Sequence, residues 1–251
     1  MNFQKFVNDI FLNLEKKGLI KKTSGILREY EKEYPFFKEL ETNYDIIRKE
    51  CEALLTIKEQ LNDMEGVAGK KTQGGIYIAK WKSFMFKSGS FIDENCELCP
   101  QTSEILKRVP RIKQAFFSIL YPNQHIKPHR GYYQGFMRYH LGVIVPDNNV
   151  EKKCWLRVND DPEDNKKYDK STMHKGESYH WKNGEGVIFN DNYLHDAANE
   201  SDEIRVILWL DVYRRLPFWI DWLNILILYI AYRTKRVKAI AEKAKVKVSK
   251  K

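Results

Sequence analysis

The sequence predicts a mainly β domain of jelly-roll or barrel type, with helices at both ends. Two observations support this fold class. Apolar, β-branched segments recur across residues 114–213, and clusters of Pro, Asn, Asp and Gly separate them. No helical pattern alternates with these segments, which argues against a parallel α/β sheet. The five predicted strands cover residues 115–121, 139–146, 154–158, 186–190 and 205–212.

The chain before these strands has a helical character. Residues 1–65 carry long charged stretches with apolar side chains at helical spacing, and Pro35 interrupts them. Within this segment, residues 3–14 predict an amphipathic helix that packs on the domain. The less common alternative is a helix that lies on a membrane or on a partner.

Between residues 66 and 110 the sequence predicts a loop, strands and a short helix, and the whole chain divides into three regions. A glycine- and lysine-rich loop is predicted over residues 66–75, and strand composition begins at residues 76–78 and 81–86. Residues 102–108 predict a short helix that ends before Pro110. The predicted regions are an N-terminal helical region (1–75), a β domain (76–215) and a C-terminal apolar helix with a basic tail (216–251).

The C-terminal region begins with an apolar stretch. Residues 217–232 are apolar apart from Asp221 and Asn224, and their longest uninterrupted run, 225–232, has eight residues. A helix that spans a bilayer needs about 20 predominantly apolar residues. We therefore predict a helix that lies in the membrane interface, where its Trp and Tyr side chains are favourable. The alternative is a helix packed on the domain or in a dimer interface.

A strongly basic tail follows this stretch. Residues 233–251 contain nine Lys or Arg and one acid, so they carry +8 of the formal net charge of +9. Such a tail is attracted to anionic membranes or nucleic acids. Nucleic acid is not expected as a partner, because the aromatic residues precede the basic run and do not interleave with it. We predict that residues 217–251 hold the protein at a membrane surface, with a disordered, solubilising tail as the alternative.

The four cysteines are too few for a disulfide framework in a chain of 251 residues. Cys96 and Cys99 have CxxC spacing, but the sequence lacks the second pair that a structural zinc site needs. We expect all four thiols to be reduced and the protein to be cytoplasmic. A labile disulfide between Cys96 and Cys99 is the alternative.

Two of the six histidines follow predicted strands. His129 lies in the sequence PHRG at 128–131, and His195 follows the strand at 186–190. In a jelly roll, the ends of strands that are distant in sequence meet at one opening, so the two histidines can approach each other. Neutral imidazoles suit Fe(II), and ferrous dioxygenases keep coordination positions open for oxygen and a cosubstrate. On spacing alone, a structural role for each histidine is the alternative.

Two arginines stand at comparable positions. Arg138 enters a predicted strand nine residues after His129, and Arg205 opens another ten residues after His195. A buried arginine needs a partner, and a planar keto acid or dicarboxylate is a suitable one. An ion pair with a nearby acid is the alternative.

Two blocks of the sequence carry a specific combination of motifs. The first block contains FSILYP at 117–122, PHRG at 128–131 and RYHLGVIVP at 138–146. The second contains Trp181, GEGVIFND at 184–191, His195, Arg205 and DV at 211–212. In this combination the chain resembles the aspartyl/asparaginyl β-hydroxylase family of Fe(II)- and 2-oxoglutarate-dependent dioxygenases. The resemblance covers residues 76–215.

The resemblance implies a double-stranded β-helix that uses Fe(II), 2-oxoglutarate and O2 to hydroxylate an unactivated C–H bond. Position by position, it implies that His129 and His195 bind the iron, with no catalytic side chain beyond the metal centre. Gly131 stands where most 2-oxoglutarate oxygenases have the Asp of an HxD motif. The protein-modifying branch also has glycine there, so the resemblance implies two protein ligands and water in the vacant position.

The resemblance also implies a cosubstrate site. Arg205 and Ser118 would hold the distal carboxylate of 2-oxoglutarate, and Arg138 and His140 would lie near its keto-acid end. A catalytically inactive jelly-roll binding module is the alternative. It would require the loss of an iron ligand or of Arg205, and this sequence retains them.

Local similarity separates the possible substrates. Residues 98–110, 138–142 and 193–202 are more similar to the bacterial lipid A hydroxylases, which hydroxylate an acyl chain of a membrane lipid. The apolar and basic C-terminal region agrees with a membrane substrate, whereas Gly131 disagrees, because the lipid branch tends to have Asp there. We predict hydroxylation of a membrane-lipid acyl chain, with β-hydroxylation of Asp or Asn side chains in a protein as the alternative.

Overall fold

A computed structural model describes residues 3–68, 79–131 and 133–247. The strands of this part of the chain are β1 (Ile26–Leu27), β2 (Asn62–Asp63), β3 (Trp81–Ser88), β4 (Ser90–Phe91), β5 (Ile112–Leu120), β6 (Gln124–His129), β7 (Phe136–Ile144), β8 (Cys154–Asn159), β9 (Glu177–His180), β10 (Gly186–Phe189), β11 (Leu194–Asn199) and β12 (Arg205–Tyr213).

These strands form two antiparallel sheets that face each other. Eight strands make the larger sheet, in the order β1-β10-β7-β12-β5-β3-β2 with β4 beside β3. Four strands make the smaller sheet, in the order β6-β11-β8-β9. Between β5 and β12 the chain crosses repeatedly from one sheet to the other. This architecture is a double-stranded β-helix, or jelly roll, and it confirms the predicted fold class.

The large sheet is apolar on both faces because both faces are covered. Phe117 and Leu208 are cross-strand partners in β5 and β12, and they lie in the core beneath the N-terminal helices. Their neighbours Phe116 and Ile207 point the other way, into the core between the two sheets. A sheet that is buried on both faces produces continuous apolar segments instead of alternating ones. This explains why β5 and β12 were recognisable in the sequence.

Four helices precede the main strands: α1 (Phe3–Lys16), α2 (Lys38–Thr42), α3 (Tyr44–Leu55) and α4 (Met64–Ala68). The amphipathic helix predicted at residues 3–14 is confirmed as α1, which buries Val7 and Phe11 against the domain. The core beneath the large sheet includes Ile47 and Leu54 of α3. These helices are therefore part of the domain's own core.

The prediction of helix throughout residues 1–65 with a break at Pro35 is wrong. Residues 17–34 lack regular helix and contain β1, whereas Pro35 begins the 3-10 helix Pro35–Phe37 that leads into α2. Proline suits the first turn of a helix, because the N–H that it lacks would have no partner there. The loop predicted at 66–75 starts inside α4. Its remainder and the predicted strand at 76–78 lie outside the described residues, so the domain boundary at residue 75 stays a prediction.

The remaining strand predictions agree with the structure apart from their ends, but six strands were missed. The segments at 81–86, 115–121, 139–146, 154–158, 186–190 and 205–212 correspond to β3, β5, β7, β8, β10 and β12. The missed strands are β6, β9 and β11 and the two-residue strands β1, β2 and β4. His129 and His195 consequently lie within strands β6 and β11, and the prediction that they follow strands is wrong.

Short helices connect the strands. They are α5 (Asp93–Cys96), α6 (Pro100–Arg108) and α7 (Pro162–Lys167), together with the 3-10 helices Lys58–Gln60, Pro146–Asn149 and Lys170–Lys175. The helix predicted at residues 102–108 is confirmed as α6. All four cysteines belong to the described part of the chain and are buried free thiols. Burial raises the pKa of Cys99 to about 12. Cys96 and Cys99 are not joined by a disulfide in this structure, and the reduced state of the thiols stays a prediction.

The C-terminal region folds as two helices, α8 (Phe218–Ala231) and α9 (Lys235–Lys243). α8 buries Ile220, Asn224 and Leu228 against the domain, and its other side is exposed. Among the described residues, no helix combines the length and the apolar character that crossing a membrane requires. The alternative in which this helix packs on the domain is therefore correct for its buried side.

The structure describes the basic tail as far as residue 247. Ala244 and Val246 are buried, and the Asn95 side chain holds both of them. Asn95 Nδ2 donates to the Ala244 carbonyl at 2.9 Å, and Asn95 Oδ1 accepts from the Val246 N–H at 2.9 Å. The alternative of a disordered tail is wrong for residues 235–247. Residues 248–251 lie outside the described residues.

Candidate active site

A cavity that opens to solvent lies between the two sheets, and its empty space, opening included, is about 340 Å³. It is lined by residues from β3, β5, β6, β7, β8, β10, β11 and β12. The lining side chains are those of Trp81, Ser118, Ile126, His129, Arg138, His140, Leu156, Trp181, Phe189, His195, Ala197, Arg205, Ile207 and Trp209. All six residues that the sequence singled out for a site therefore come together in one place.

His129 and His195 are direct cross-strand partners in β6 and β11, with ring centroids 4.2 Å apart. The pairing shifts register between His195 and Ala197, so that the four residues of β6 from Ile126 to His129 oppose the three of β11 from His195 to Ala197. Such a β-bulge reverses the alternation of side chains locally. It allows Ile126 and His129 both to face the cavity.

Each of these imidazoles is fixed by a backbone carbonyl. Nδ1 of His129 lies 2.8 Å from the Lys127 carbonyl, and Nδ1 of His195 lies 2.9 Å from the Tyr193 carbonyl. Because a carbonyl oxygen only accepts hydrogen bonds, Nδ1 carries the proton in both rings. The lone pair is then on Nε2, which is the arrangement that metal-binding histidines require.

Burial keeps both rings neutral. It lowers the pKa of His129 to about 4 and the pKa of His195 well below its ordinary value. The neighbouring His129, Arg138 and His140 lower the pKa of His195 further. Neutral imidazole is the form that binds a metal. Within the described ranges, no group of three or more His, Cys, Asp and Glu side chains could hold a metal ion. The candidate metal ligands that the protein supplies here are the imidazoles of His129 and His195.

The space beside Gly131 is occupied by a carboxylate from another strand connection. A Cβ placed on Gly131 would overlap the Asp191 carboxyl group, and the Gly131 N–H donates to the Asp191 carbonyl at 2.6 Å. Asp191 is buried and forms an ion pair with Arg138 at 2.8 Å. Burial raises the pKa of Asp191 to about 6, and the Arg138 guanidinium limits the rise. Glycine at 131 is therefore required by the position of Asp191.

Arg205 is a buried cation with unsatisfied hydrogen-bonding groups. Its side chain is 1% exposed, and its Nε and Nη1 have no hydrogen-bond partner among the residues that the structure describes. The guanidinium lies over the Trp181 ring, 4.6 Å from its centroid. Burial lowers the pKa of Arg205 to about 10. An unpaired buried charge is costly, so this part of the cavity is suited to an anion.

Ser118 and His140 complete the polar lining near Arg205. Ser118 Oγ accepts a hydrogen bond from Trp81 Nε1 at 2.9 Å and keeps a hydroxyl proton to donate. Both ring nitrogens of His140 are buried without a hydrogen-bond partner in the described part of the chain. Burial lowers the pKa of His140 well below its ordinary value, so the ring is neutral and can donate through one nitrogen.

Arg138 differs from Arg205 because it is already paired. Its guanidinium contacts Asp191 and also Asp211, with Nε 3.0 Å from Asp211 Oδ1. The same group lies 4.1 Å from the centroid of the Trp209 ring. The alternative of an ion pair with a nearby acid thus applies to Arg138. It does not apply to Arg205, for which the described residues provide no such acid.

The sequence matches the family model described as Aspartyl/Asparaginyl beta-hydroxylase over residues 41–215. This match covers more than half of the chain and includes every residue of the candidate site. The chain belongs to the aspartyl/asparaginyl β-hydroxylase family. The match also begins within α2, before the β domain predicted from residue 76, so the matched region includes α3 and α4.

Relatives in this family have different names. The chain is 30% identical over 206 residues to an ornithine lipid ester-linked acyl 2-hydroxylase from Rhizobium tropici, covering 82% of this chain and 66% of that protein. It is 24% identical over 182 residues to an aspartyl/asparaginyl beta-hydroxylase from Homo sapiens, covering 70% of this chain and 21% of that protein. The chain therefore spans less than two thirds of either relative.

Solved structures show more distant similarity. A prolyl-4-hydroxylase from Pseudomonas putida aligns with a TM-score of 0.42 and 13% identity, covering 68% of this chain and 87% of that one. A non-heme alpha ketoglutarate dependent carbocyclase from nogalamycin biosynthesis aligns with a TM-score of 0.45 and 14% identity, covering 68% and 75%.

Several side chains that shape the cavity have no role predicted from the sequence. Trp81, Trp181 and Trp209 form much of its wall, and Asp191 and Asp211 hold Arg138. One signal was available for Trp209. It lies four residues after Arg205 in β12, and residues at even spacing along a strand share a face. The contacts of Arg138 had no comparable signal, because Asp191 comes from the connection between β10 and β11.

Proposed function

We propose that this protein is an Fe(II)- and 2-oxoglutarate-dependent hydroxylase in which His129 and His195 hold the iron. The observation that carries the proposal is the content of the cavity. Two neutral imidazoles with fixed Nδ1–H groups share it with a buried arginine that has no acidic partner in the described residues. Imidazole suits Fe(II), and the arginine suits a dicarboxylate, so the two requirements of this chemistry meet in one cavity.

The unsatisfied groups support an assignment of the cosubstrate contacts. We assign the distal carboxylate of 2-oxoglutarate to Arg205 and Ser118, which supply a charged fork and a hydroxyl. We assign its keto-acid end to His140 and Arg138. The dicarboxylate would neutralise Arg205 and satisfy the hydrogen-bonding nitrogens that are otherwise buried without partners.

The protein's own contribution is binding, orientation and the exclusion of water. When iron, 2-oxoglutarate and O2 are bound, the centre supplies conversion of a C–H bond to C–OH, with succinate and CO2 as the other products. Trp81, Trp181 and Trp209 exclude water from the cavity that the reaction uses. Asp191 holds Arg138 in place from the position beside Gly131.

We further propose that the substrate is an acyl chain of a membrane lipid and that residues 217–251 bring the enzyme to the membrane surface. Two observations support this choice. The relative from Rhizobium tropici is named for acyl hydroxylation of ornithine lipid. The exposed side of α8 is apolar and aromatic, and the basic α9 follows it directly.

The second candidate is β-hydroxylation of an Asp or Asn side chain in a protein. Gly131 favours it, because the resemblance gives the protein-modifying branch a glycine at this position. The relative from Homo sapiens carries that name. The larger aligned share of this chain, 82% against 70%, favours the lipid relative.

Mass spectrometry of lipid extracts tests the choice of substrate. Cells that express the chain should contain acyl chains with one added oxygen, and cells that express His195→Ala at equal level should not. An unchanged acyl profile would exclude the lipid substrate. If the folded wild-type protein also forms no succinate from 2-oxoglutarate with Fe(II), the inactive binding module becomes the better account.

A further inference from the structure

We propose that α1 and α8 together form one docking surface for anionic lipid bilayers, and that this surface is built onto the loop bordering the active-site cavity. The proposal rests on the proposed function in one respect: a membrane-lipid substrate is the reason for contact with a membrane. It adds a second helix to the predicted C-terminal contact, and it fixes which side of the molecule faces the lipid.

The outer side of α8 is apolar along its whole length. Its buried side chains recur at intervals of four residues, and the side chains between them point outwards. Phe218 is 89% exposed, and Trp222 and Ile230 are each 60% exposed. Tryptophan and tyrosine are favourable where water meets lipid, and large exposed apolar patches mark interaction sites. The other exposed members of this side are Trp219, Ile225, Leu226 and Tyr229.

α1 also exposes apolar side chains, and it shares a core with α8. Val7 and Phe11 of α1 lie in the same apolar cluster as Ile220 and Leu228 of α8. On its other side, α1 exposes Phe6 and Leu12. The two helices therefore share one small core, and each exposes apolar groups.

Both helices are fastened to the loop between β6 and β7, which joins His129 to Arg138. Asn8 of α1 accepts a hydrogen bond from the Gln134 N–H at 3.0 Å. In α8, Asn224 Oδ1 accepts from the Tyr133 hydroxyl at 2.7 Å. The same loop begins at Gly131, which contacts Asp191 beside the cavity. A bilayer bound to these helices would therefore lie close to the cavity loop.

The charges around the surface fit an anionic bilayer better than a second copy of the chain. Arg233, Lys235 and Arg236 are exposed directly after α8, and Arg233 lies 3.9 Å from the Tyr229 ring centroid. The acid of α8, Asp221, is neutralised by a bidentate contact with Arg111 at 2.7 and 3.1 Å. A basic rim around an apolar surface is attracted to anionic lipid and is repelled by the same rim on another copy.

Co-sedimentation of the full chain with vesicles tests the surface. The vesicles contain phosphatidylcholine alone or with phosphatidylglycerol, and the variants are Trp222→Glu in α8 and Leu12→Glu in α1. Val150→Glu is the matched control, because Val150 is 79% exposed and follows the opposite end of β7. Each helix variant should lower partitioning onto anionic vesicles at least tenfold, since the loss of one buried large apolar side chain has about that effect.

The expected pattern is binding that requires phosphatidylglycerol, weakens with salt, and is lost in both helix variants but not in Val150→Glu. Equal binding of Leu12→Glu and wild type would overturn the composite surface, as would no binding by wild type. A dimer that Trp222→Glu dissociates, without vesicle binding, would assign the surface to a second copy. Unchanged thermal midpoints confirm that the variants are folded. Because sedimentation needs no turnover, separate measurement of succinate formation by wild type decides the proposed function independently.

Discussion

At the scale of single residues, an acidic partner and not burial distinguishes Arg214 from Arg205. Both are 1% exposed. Arg214 Nη2 donates to Glu15 and to the Lys21 carbonyl, each at 2.6 Å, whereas Arg205 has no acidic partner in the described chain. An anion in the cavity would therefore offset the cost of burying Arg205.

Replacing Arg205 by Met should weaken 2-oxoglutarate binding without weakening the fold. We expect the Kd for 2-oxoglutarate to rise about 30-fold or more, since losing one partner of a buried charged pair costs about 2–5 kcal/mol. The ligand-free variant should be at least as stable as wild type, because an unpaired buried cation is removed. Calorimetric titration and thermal denaturation measure the two effects.

Arg214→Met is the matched control and should behave in the opposite way. It leaves the Glu15 carboxylate unpaired, which should lower the free energy of unfolding by about 3 kcal/mol. Its affinity for 2-oxoglutarate should be that of wild type. If Arg205→Met bound 2-oxoglutarate as tightly as wild type, the cosubstrate assignment would be wrong.

Gly131→Ala tests whether Asp191 requires glycine at this position. The added Cβ would overlap the Asp191 carboxyl group, so the variant should lose about 1–3 kcal/mol of stability and shift the Asp191–Arg138 pair. Gly66→Ala is the control, because nothing lies within 4 Å of its added Cβ and alanine is favoured in helices by about 1 kcal/mol. Urea denaturation compares the two; equal midpoints would show that Asp191 does not fill the space.

The sequence could predict the site residues whose setting is local, and it could not predict their partners. His129, His195, Ser118, Arg138, His140 and Arg205 all lie at the cavity. Their motifs placed all six in one domain of predicted strands. The pairing of Arg138 with Asp211 depends on the register of β7 against β12, and its pairing with Asp191 depends on how the β10–β11 connection packs. No spacing in the sequence encodes either.

At the scale of secondary-structure elements, the longer strands that were missed, β6, β9 and β11, are polar. β6 reads QHIKPH, β9 reads ESYH and β11 reads LHDAAN, so none has the apolar pattern that identified the others. β11 is buried throughout nevertheless, because its polar groups have partners. Asp196 accepts from Arg157 at 2.8 Å, and Asn199 donates to the Leu120 carbonyl at 3.1 Å. Sequence patterns detect apolar burial and overlook satisfied polar burial.

Asn224→Leu should loosen α8 from the cavity loop. Asn224 is fully buried, and the change leaves the Tyr133 hydroxyl and the Gly135 carbonyl without their partner. We expect the free energy of unfolding to fall by about 1–3 kcal/mol. Leu226→Gln on the exposed side of the same helix should change it by less than about 0.5 kcal/mol.

A double-mutant cycle with Tyr133→Phe isolates the contact between the helix and the loop. The two changes should be non-additive by about 0.5–3 kcal/mol, as expected for partners in one hydrogen-bond network. Strict additivity in urea denaturation would show that α8 is not coupled to the loop through Asn224.

At the scale of the whole molecule, both ends of the described chain pack on the jelly roll. The N-terminal helices cover one face of the large sheet, and residues 244–247 lie against Asn95 and Asn62 near β3. The sequence indicated only that the tail is basic. Its docking depends on buried amide side chains far away in the chain, which charge and composition do not reveal.

Asn95→Ala should release the end of the tail while the sheets stay intact. The change removes a donor to the Ala244 carbonyl and the acceptor for the Val246 N–H. Hydrogen exchange at Val246 should become faster, with exchange in β5 and β12 unchanged. Asn62→Ala removes one hydrogen bond to the Ala244 carbonyl and should have the smaller effect. Unaltered exchange at Val246 in Asn95→Ala would show that the tail is held by other contacts.

Succinate formation from 2-oxoglutarate tests the central claim most directly. The purified full chain is supplied with Fe(II), 2-oxoglutarate, O2 and membrane lipid extract, beside His195→Ala shown to be folded by circular dichroism. Wild type should form succinate together with a hydroxylated product, and His195→Ala should form neither. Succinate formation by His195→Ala at the wild-type level would contradict the central claim. So would the absence of succinate from wild type that is folded and supplied with iron.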